Sequence, residues 1–431
     1  MQPGRYRFVI AFLLFVAGII NYMDRAALGV AAPFVQKDLG LSPSSLGVIF
    51  STFFVGYALF AFVGGQLADR YGPRRVYTWS AGCWSILCAL TGTVTGFTTM
   101  FIVRVLFGFA EGPMNSTTNR TITTWFPREE TSRTIGFTFS GQTVGSAIAA
   151  PVIGLLAIAY GWRFAFFAIG AAGLAWVTAW RWFMTDLPSE NPRVGKEEVE
   201  YIAASRAVSS IPLADHSKPL RSYLMLPSTL SLGLGMFAVN YALFIFLSWL
   251  PSYLTNALHM PVEQMAFVAA IPWACGFVGY VGGGIVADYA YKRMGDRLAA
   301  RKLTTVAPLA LAGLSLLAVN FATGPAMAVT LIALAVMLLT SSVQSCWATI
   351  HELVPEKRVG GVSGFIHLLS NISGIIGPTA TGLAVQYLGG YESAFVIAAV
   401  IAGAGVIAMW LFVKRPIAAP DVVVPVGQAA E

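Results

Sequence analysis

The chain has 431 residues, 56% of them hydrophobic and 11% charged, with a mean hydropathy of +0.70. Soluble domains carry about 25% charged residues, so this much apolar side chain behind so few charges excludes a water-soluble globular protein. Lipid is the solvent for most of the chain, and the net charge of +7 reads as the Lys/Arg bias of cytoplasmic loops rather than as a nucleic-acid surface. Cys83, Cys88, Cys275 and Cys346 all lie in apolar stretches without zinc-ligand spacing and read as small core residues. No metal, phosphate loop or nucleophile–base set stands out, so neither a cofactor nor an enzyme is expected.

A spanning helix needs about 20 mostly apolar residues. Twelve such windows occur in chain order, at 8–31, 46–68, 76–97, 99–120, 134–159, 163–184, 225–250, 263–288, 304–321, 326–350, 361–386 and 393–413. The first follows Arg5 and Arg7 and continues past Asp24 and Arg25 without a small-residue cleavage pattern, so it reads as a retained helix rather than a signal peptide. Between the sixth and seventh windows lies a polar stretch with Pro188, Pro192, Pro212 and the charged patch from Lys196 to Glu200. The expected organisation is an all-α membrane protein of two six-helix bundles, 1–184 and 224–415, joined by a cytoplasmic linker, 185–223, and followed by a loose tail, 416–431.

Charge orients these spans. With the N-terminus inside, only Lys37 and Arg163 fall outside and only Arg25 and Arg104 fall within spans, leaving 23 of the 27 basic residues on the inner side. That bias places both termini in the cytoplasm.

The halves also repeat. Asn21-Tyr22 and Asn240-Tyr241 are 219 residues apart, as are Gly65-x-Leu67-Ala68-Asp69 and Gly284-x-Val286-Ala287-Asp288. Pro127/Pro355, Gly136/Gly364 and Gly154/Gly382 are each 228 apart. Parallel repeats with a substrate site at their interface describe a transporter architecture.

The segment Gly65-Gln-Leu-Ala-Asp69-Arg70-Tyr-Gly72-Pro-Arg74-Arg75 resembles the signature loop between helices two and three of the major facilitator superfamily. In that reading Gly65 allows close helix approach, and Asp69, Arg70 and Arg74 form a cytoplasmic gate. A narrower resemblance, covering Arg5 to Arg415, is to the anion:cation symporter family of bacterial sugar-acid and phthalate transporters, sialin and the vesicular glutamate transporters. It rests on Asn21-Tyr-Met-Asp24-Arg25, on Arg104-x6-Glu111-Gly-Pro113, and on Trp125-Phe126-Pro127 followed by Arg133. The resemblance implies a proton-coupled symporter of organic anions, such as sugar acids, in a bacterial inner membrane. A monomer is expected, with a small carboxylate as substrate, the proton as coupling ion and the bilayer as surroundings.

A charge inside a span is costly and is a functional hypothesis by default. Asp24, Arg25, Arg104 and Glu111 all lie in the first half, where the repeat-equivalent positions of the second half carry Leu243, Phe244, Ile332 and Leu339. Arg104, Gly108 and Glu111, spaced i, i+4, i+7, share one helix face. The bland reading is an internal ion pair joining helices one and four. The functional one assigns proton coupling to Asp24, Arg104 and Glu111, because moving a guanidinium or an anion past a buried carboxylate changes its proton affinity. Arg25 is the candidate for gripping the substrate carboxylate bidentately.

By resemblance, Tyr57, Gln142, Trp347 and the position of His367 line the substrate cavity, with Asn371 and Gln344 as neighbours. Many relatives have asparagine where this chain has His367, which puts the identity of the acid in question. Asn115-Ser-Thr, Asn119-Arg-Thr and Asn371-Ile-Ser match the glycosylation pattern but fall in spans or on the inner side, and read as chance. The alternative function is efflux of a drug or metabolite by antiport. Antiporters of the superfamily carry Gly-Pro-x-x-Gly-Gly in helix five, where this chain has Ala150-Pro151-Val-Ile-Gly154, and two buried arginines disfavour a cationic drug.

Overall fold

The computed structural model describes residues 4–207, 219–354 and 356–414, and among them every regular element is helical. Pro212, Lys218, Pro355, Arg415 and the predicted tail 416–431 lie outside the described residues.

Seven helices come before the connector: α1 (Arg7–Leu39), α2 (Pro43–Tyr71), α3 (Pro73–Thr91), α4 (Phe97–Glu111), α5 (Met114–Trp125), α6 (Arg128–Tyr160) and α7 (Trp162–Phe183). The connector holds α8 (Lys196–Ala207) and α9 (Leu220–Leu224). Then come α10 (Pro227–Ser252), α11 (Val262–Val268), α12 (Ala270–Met294), α13 (Arg297–Val319), α14 (Pro325–Leu353), α15 (Glu356–Tyr387) and α16 (Tyr391–Phe412). Each predicted span is helical. Among the described residues, eleven spans are long and apolar enough to cross a bilayer, with α4–α5 and α11–α12 each counting as one. The predicted window 76–97 falls on α3, which is shorter and more polar. It opens with Arg74 and Arg75 and ends at Thr91, ahead of Gly92 and Gly96. It packs against α7 and α4.

Several helices outrun their apolar windows. α6 has 33 residues, roughly 50 Å at 1.5 Å per residue, and so projects beyond the hydrocarbon. The end that begins at Arg128 is tied down by Arg7, whose Nε donates to Glu130 at 2.8 Å and whose Nη1 donates to Glu198 of α8 at 3.0 Å. Start of chain, α6 and connector therefore meet at one end of the bundle.

The repeat offsets reappear in the elements. The 228-residue offset carries Phe97 to Pro325 and Trp125 to Leu353, so α4–α5 matches α14 end to end. Packing repeats as well. α1 packs on α6 as α10 does on α15, α2 on α4 as α12 on α14, and α3 on α7 as α13 on α16. Between these groups, α2 meets α15, α12 meets α6, and α1 meets α10.

Glycine lets the backbones approach. A Cβ on Gly108 would run into the Phe53 carbonyl oxygen and one on Gly56 into that of Val105, which fixes α2 against α4. Gly141 and Gly145 stand in the same way against the carbonyls of Phe15 and Ile19, which fixes α6 against α1. Without a hydrophobic drive between helices in lipid, such close packing is what orders them.

The contacts that join the first six spans to the last six gather at the end remote from Tyr6. Thr379 Oγ1 hydrogen-bonds Ser51 Oγ at 2.8 Å, and Ser44 N donates to Gln386 Oε1 at 3.1 Å. Phe50 meets Trp249 edge-on with ring centroids 5.4 Å apart, and Phe54 meets Phe244 at 4.4 Å. A Cβ on Gly29 would lie 2.5 Å from the Leu247 carbonyl oxygen.

Candidate substrate and coupling site

The four charges expected inside spans are all buried. Asp24 is 1%, Arg25 8%, Arg104 3% and Glu111 0% exposed. α1 carries Asp24 and Arg25 near its middle, and α1 also meets α2 and α5, the helices that flank the end of α4. There Arg25 Nε donates to Glu111 Oε2 at 2.7 Å. The partner of Glu111 is thus Arg25 on another helix, not Arg104 on its own face. Glu111 is the last residue of α4. Gly112 and Pro113 interrupt the helix before α5, and proline has no N–H to continue the ladder.

The remaining charged atoms are incompletely matched. Among the described residues, Glu111 Oε1, Asp24 Oδ2 and Arg104 Nε have no hydrogen-bond partner. Asp24 Oδ1 accepts from the Cys88 thiol at 3.4 Å. The Arg104 Cζ sits 5.1 Å from the Phe53 ring centroid and 4.9 Å from that of Phe107. The Arg25 Cζ sits among Tyr22, Phe53 and Tyr57, at 5.0, 5.0 and 4.4 Å from their centroids. An aromatic cage of this kind stabilises a guanidinium without neutralising it.

Of the predicted polar lining, Tyr57 and Gln142 are brought together through a residue the sequence reading had set aside. Asn115 Nδ2 donates to the Tyr57 hydroxyl at 2.9 Å, and Gln142 Nε2 donates to Asn115 Oδ1 at 3.3 Å. Its place one turn after Glu111 was the available signal. On the other side, Trp347 of α14 and His367 of α15 form a tilted ring pair with centroids 6.2 Å apart. His367 is half-buried and within electrostatic reach of Arg25. Gln344 hydrogen-bonds Tyr280 of α12, and Tyr280 in turn feels Tyr22 of α1. Asn371 is turned onto its own helix, its Nδ2 donating to the His367 carbonyl at 2.8 Å.

At the predicted gate, Asp69 pairs with Arg120 of α5, Nε to Oδ1 at 3.2 Å, both side chains more than half exposed. The Arg70 Cζ rests 5.3 Å from the neighbouring Tyr71 ring. Arg74 turns the other way: its backbone N–H donates to Asp186 at 2.8 Å and its Nη2 to the Arg181 carbonyl at 2.7 Å. Gly65 lies in α2, seven residues before Gly72. Gly72 takes φ of 83°, which glycine alone adopts cheaply, and a Cβ there would strike the Asp186 carboxylate. The reading of all four cysteines as core residues needs correction. Cys88 and Cys346 are buried, but Cys83 is exposed on the bundle surface and Cys275 is intermediate. In a lipid-facing bundle an apolar stretch need not point inward.

Comparison with known proteins gives the arrangement its kinship. The Major Facilitator Superfamily profile matches residues 14–350 and 277–428. The chain is 37% identical to the "Hexuronate transporter" of Bacillus subtilis (strain 168), over 98% of this chain and 97% of that protein. It is 31% identical to the "Probable galactarate/D-glucarate transporter GudP" of Escherichia coli (strain K12), over 90% of this chain and 89% of that one. The solved structure of a D-xylose-proton symporter superposes with a TM-score of 0.75 at 16% identity, covering 95% of this chain and 99% of that one. The chain belongs to the Major Facilitator Superfamily: it is a multi-pass membrane transporter, not an enzyme.

Proposed function

We propose that this transporter carries a sugar-acid anion, of the hexuronate or aldarate class, together with a proton. The class is that named for its relatives. The observation that carries the reading is the buried cluster of two arginines and two carboxylates, Asp24, Arg25, Arg104 and Glu111. With all four ionised the cluster is neutral. An entering carboxylate leaves it one charge negative in low dielectric, where an unbalanced charge is costly. A proton taken up by Asp24 or Glu111 restores the balance, so anion and proton enter more easily together than apart.

The Arg25–Glu111 pair gives the coupling a geometry. Arg25 is the cation best placed for the substrate, and in the described state Glu111 holds it. A proton on Glu111 releases the guanidinium to grip the carboxylate bidentately. Tyr57 and Gln142 then face the sugar from the first half, and Trp347, His367 and Gln344 from the second. The two halves, 1–184 and 224–415, rock about this site, and Asp69, Arg70 and Arg74 belong to the inner gate. Because the halves meet at the end remote from Tyr6, the described state opens toward the end bearing the chain start. The Lys/Arg bias supports a cytoplasmic location for that end, and the bacterial relatives support a bacterial plasma membrane.

The test is uptake into proteoliposomes of the purified full chain. Glucuronate, galacturonate and galactarate are offered with and without an inward proton gradient. Accumulation of at least one of them above equilibrium only with the gradient is expected. Gradient-independent equilibration, or accumulation driven by sodium instead, would refute proton coupling. No flux of any sugar acid would refute the substrate class.

A further inference from the structure

The geometry points to Asn115 as the residue that sets the hydrogen-bond polarity of the substrate site, holding Tyr57 as a donor and Gln142 as an acceptor; this rests on the sugar-acid reading above. Asn115 follows Glu111 by four residues, just past the Gly112–Pro113 interruption, and is half-buried. The α2–α4 contact at Gly56 and Gly108 brings Tyr57 beside it. Two helical turns further along α2, Gly64 lies so near Pro113 that a Cβ there would stand 2.4 Å from the proline Cα. One amide therefore joins α2 to α6 across the mouth of the charged cluster.

A phenol has one hydrogen to give, and a primary amide has a carbonyl that accepts and an NH2 that donates. Asn115 Nδ2 donates to the Tyr57 oxygen, and the Arg25 guanidinium hydrogen-bonds the same phenol, so with both neighbours donating the phenol hydrogen is left for another acceptor. The Tyr57 ring lies against the Arg25 guanidinium, 4.4 Å from centroid to Cζ. Donor hydroxyl and cation stand together, which suits a carboxylate. Tyr57 is 2% exposed, and in such buried surroundings a charged hydrogen bond counts for more than in water. On the other arm, Gln142 Nε2 is spent on Asn115 Oδ1, which leaves the Gln142 carbonyl to accept from a sugar hydroxyl. The opposite amide orientation would spend the phenol hydrogen on Asn115 and make Gln142 a donor. A side chain carrying both an N–H and a C=O at this length is needed for the first arrangement, and the Arg25 bond to the phenol oxygen favours it over the second.

The substitution N115D imposes the reverse polarity on Tyr57, because a carboxylate only accepts. Binding of D-glucuronate to the purified full chain is titrated for the unsubstituted protein, N115D, Y57F and the double variant. N115D and Y57F are each expected to weaken binding about tenfold, about 1.4 kcal/mol. The double variant is expected to bind within twofold of Y57F, because the introduced carboxylate acts through the phenol. Should the two losses multiply in the double variant, the effect of N115D is plain charge repulsion and the inference falls. It falls also if N115D binds as the unsubstituted protein does. If N115D does not assemble, N115S, whose hydroxyl is too short to bridge, replaces it in the same cycle with the same expectations. Loss of binding in the unsubstituted protein for every sugar acid would overturn the substrate reading, and the inference with it.

Discussion

Replacing Glu111 with glutamine tests the coupling reading most directly. The change keeps the shape of the side chain and removes its charge and its proton. In the structure Glu111 is fully buried and its Oε2 accepts from Arg25 Nε at 2.7 Å. Removing one partner of a buried ion pair leaves the other uncompensated, at a cost of about 3–5 kcal/mol. Glutamine can still accept one hydrogen bond through its carbonyl, so the lower end of that range applies, and a lower melting temperature is expected. The larger consequence is functional. One pH unit is worth about 1.4 kcal/mol, so a one-to-one symporter under a one-unit gradient accumulates substrate about tenfold. E111Q is expected to equilibrate substrate to a ratio near one under the same gradient. Exchange of labelled for unlabelled substrate needs no net proton movement, and it is expected to persist. Both are measured in the same proteoliposomes. Tenfold accumulation by E111Q would refute the role of Glu111. Loss of exchange as well, in protein with an unchanged melting curve, would show that the pair only holds α1 to α4.

Three further substitutions probe separate parts of the site. R25A is expected to abolish detectable sugar-acid binding in a titration, with the protein still monodisperse by size-exclusion, because the carboxylate loses its bidentate partner. H367N is expected to leave flux intact but reorder a competition panel toward sugar monoacids and away from aldarates, since the imidazole stands within electrostatic reach of Arg25, where its ring N–H can donate to the second carboxylate of a dianion. G108V is expected to lower the melting temperature by several degrees and to weaken binding with it, because the added side chain collides with the Phe53 carbonyl and pushes α2, with Tyr57, off α4.

What the sequence made legible was what depends on short stretches of chain. Apolar length located the spans, and the 219- and 228-residue offsets recur in helix bounds. The third span shows the limit. α3 is polar enough that length and hydropathy alone barely mark it, and it is held by α7 and α4 rather than by its own lipid affinity. The four buried charges were visible as charges, and an ion pair joining helices one and four was one reading of them, but which residues pair was not legible. Spacing puts Arg104 and Glu111 on one face of α4, whereas Glu111 takes its partner Arg25 from α1, in a bundle where Gly56 and Gly108 let α2 close on α4 and Gly141 and Gly145 let α6 close on α1. Asn115 was hidden for a different reason. It sits in the polar run Asn115–Asn119, where a glycosylation pattern matched first, and its role depends on Tyr57 and Gln142, 58 and 27 residues away in sequence. Cys88 likewise carries no local signal of its contact with Asp24.

The asymmetry between the repeats then has a physical sense. Two halves with matching helix pairings could in principle each bury a set of charges. The second half instead puts Phe244 where the first has Arg25, and that ring packs on Phe54 at 4.4 Å, one turn from Tyr57. Gly374 of α15 leaves room for Phe54, since a Cβ there would overlap its ring. The apolar half therefore seals the charged half on the side where the halves meet, and the hydrogen bonds there, Thr379 to Ser51 and Ser44 to Gln386, join neutral groups only. A second charged cluster facing the first would add desolvation cost to every passage between states. On the proposed reading, keeping charge in one half confines the proton-dependent balance to Asp24, Arg25, Arg104 and Glu111, and leaves the opposing aromatic surface to part from it at the cost of apolar contact and a few neutral hydrogen bonds.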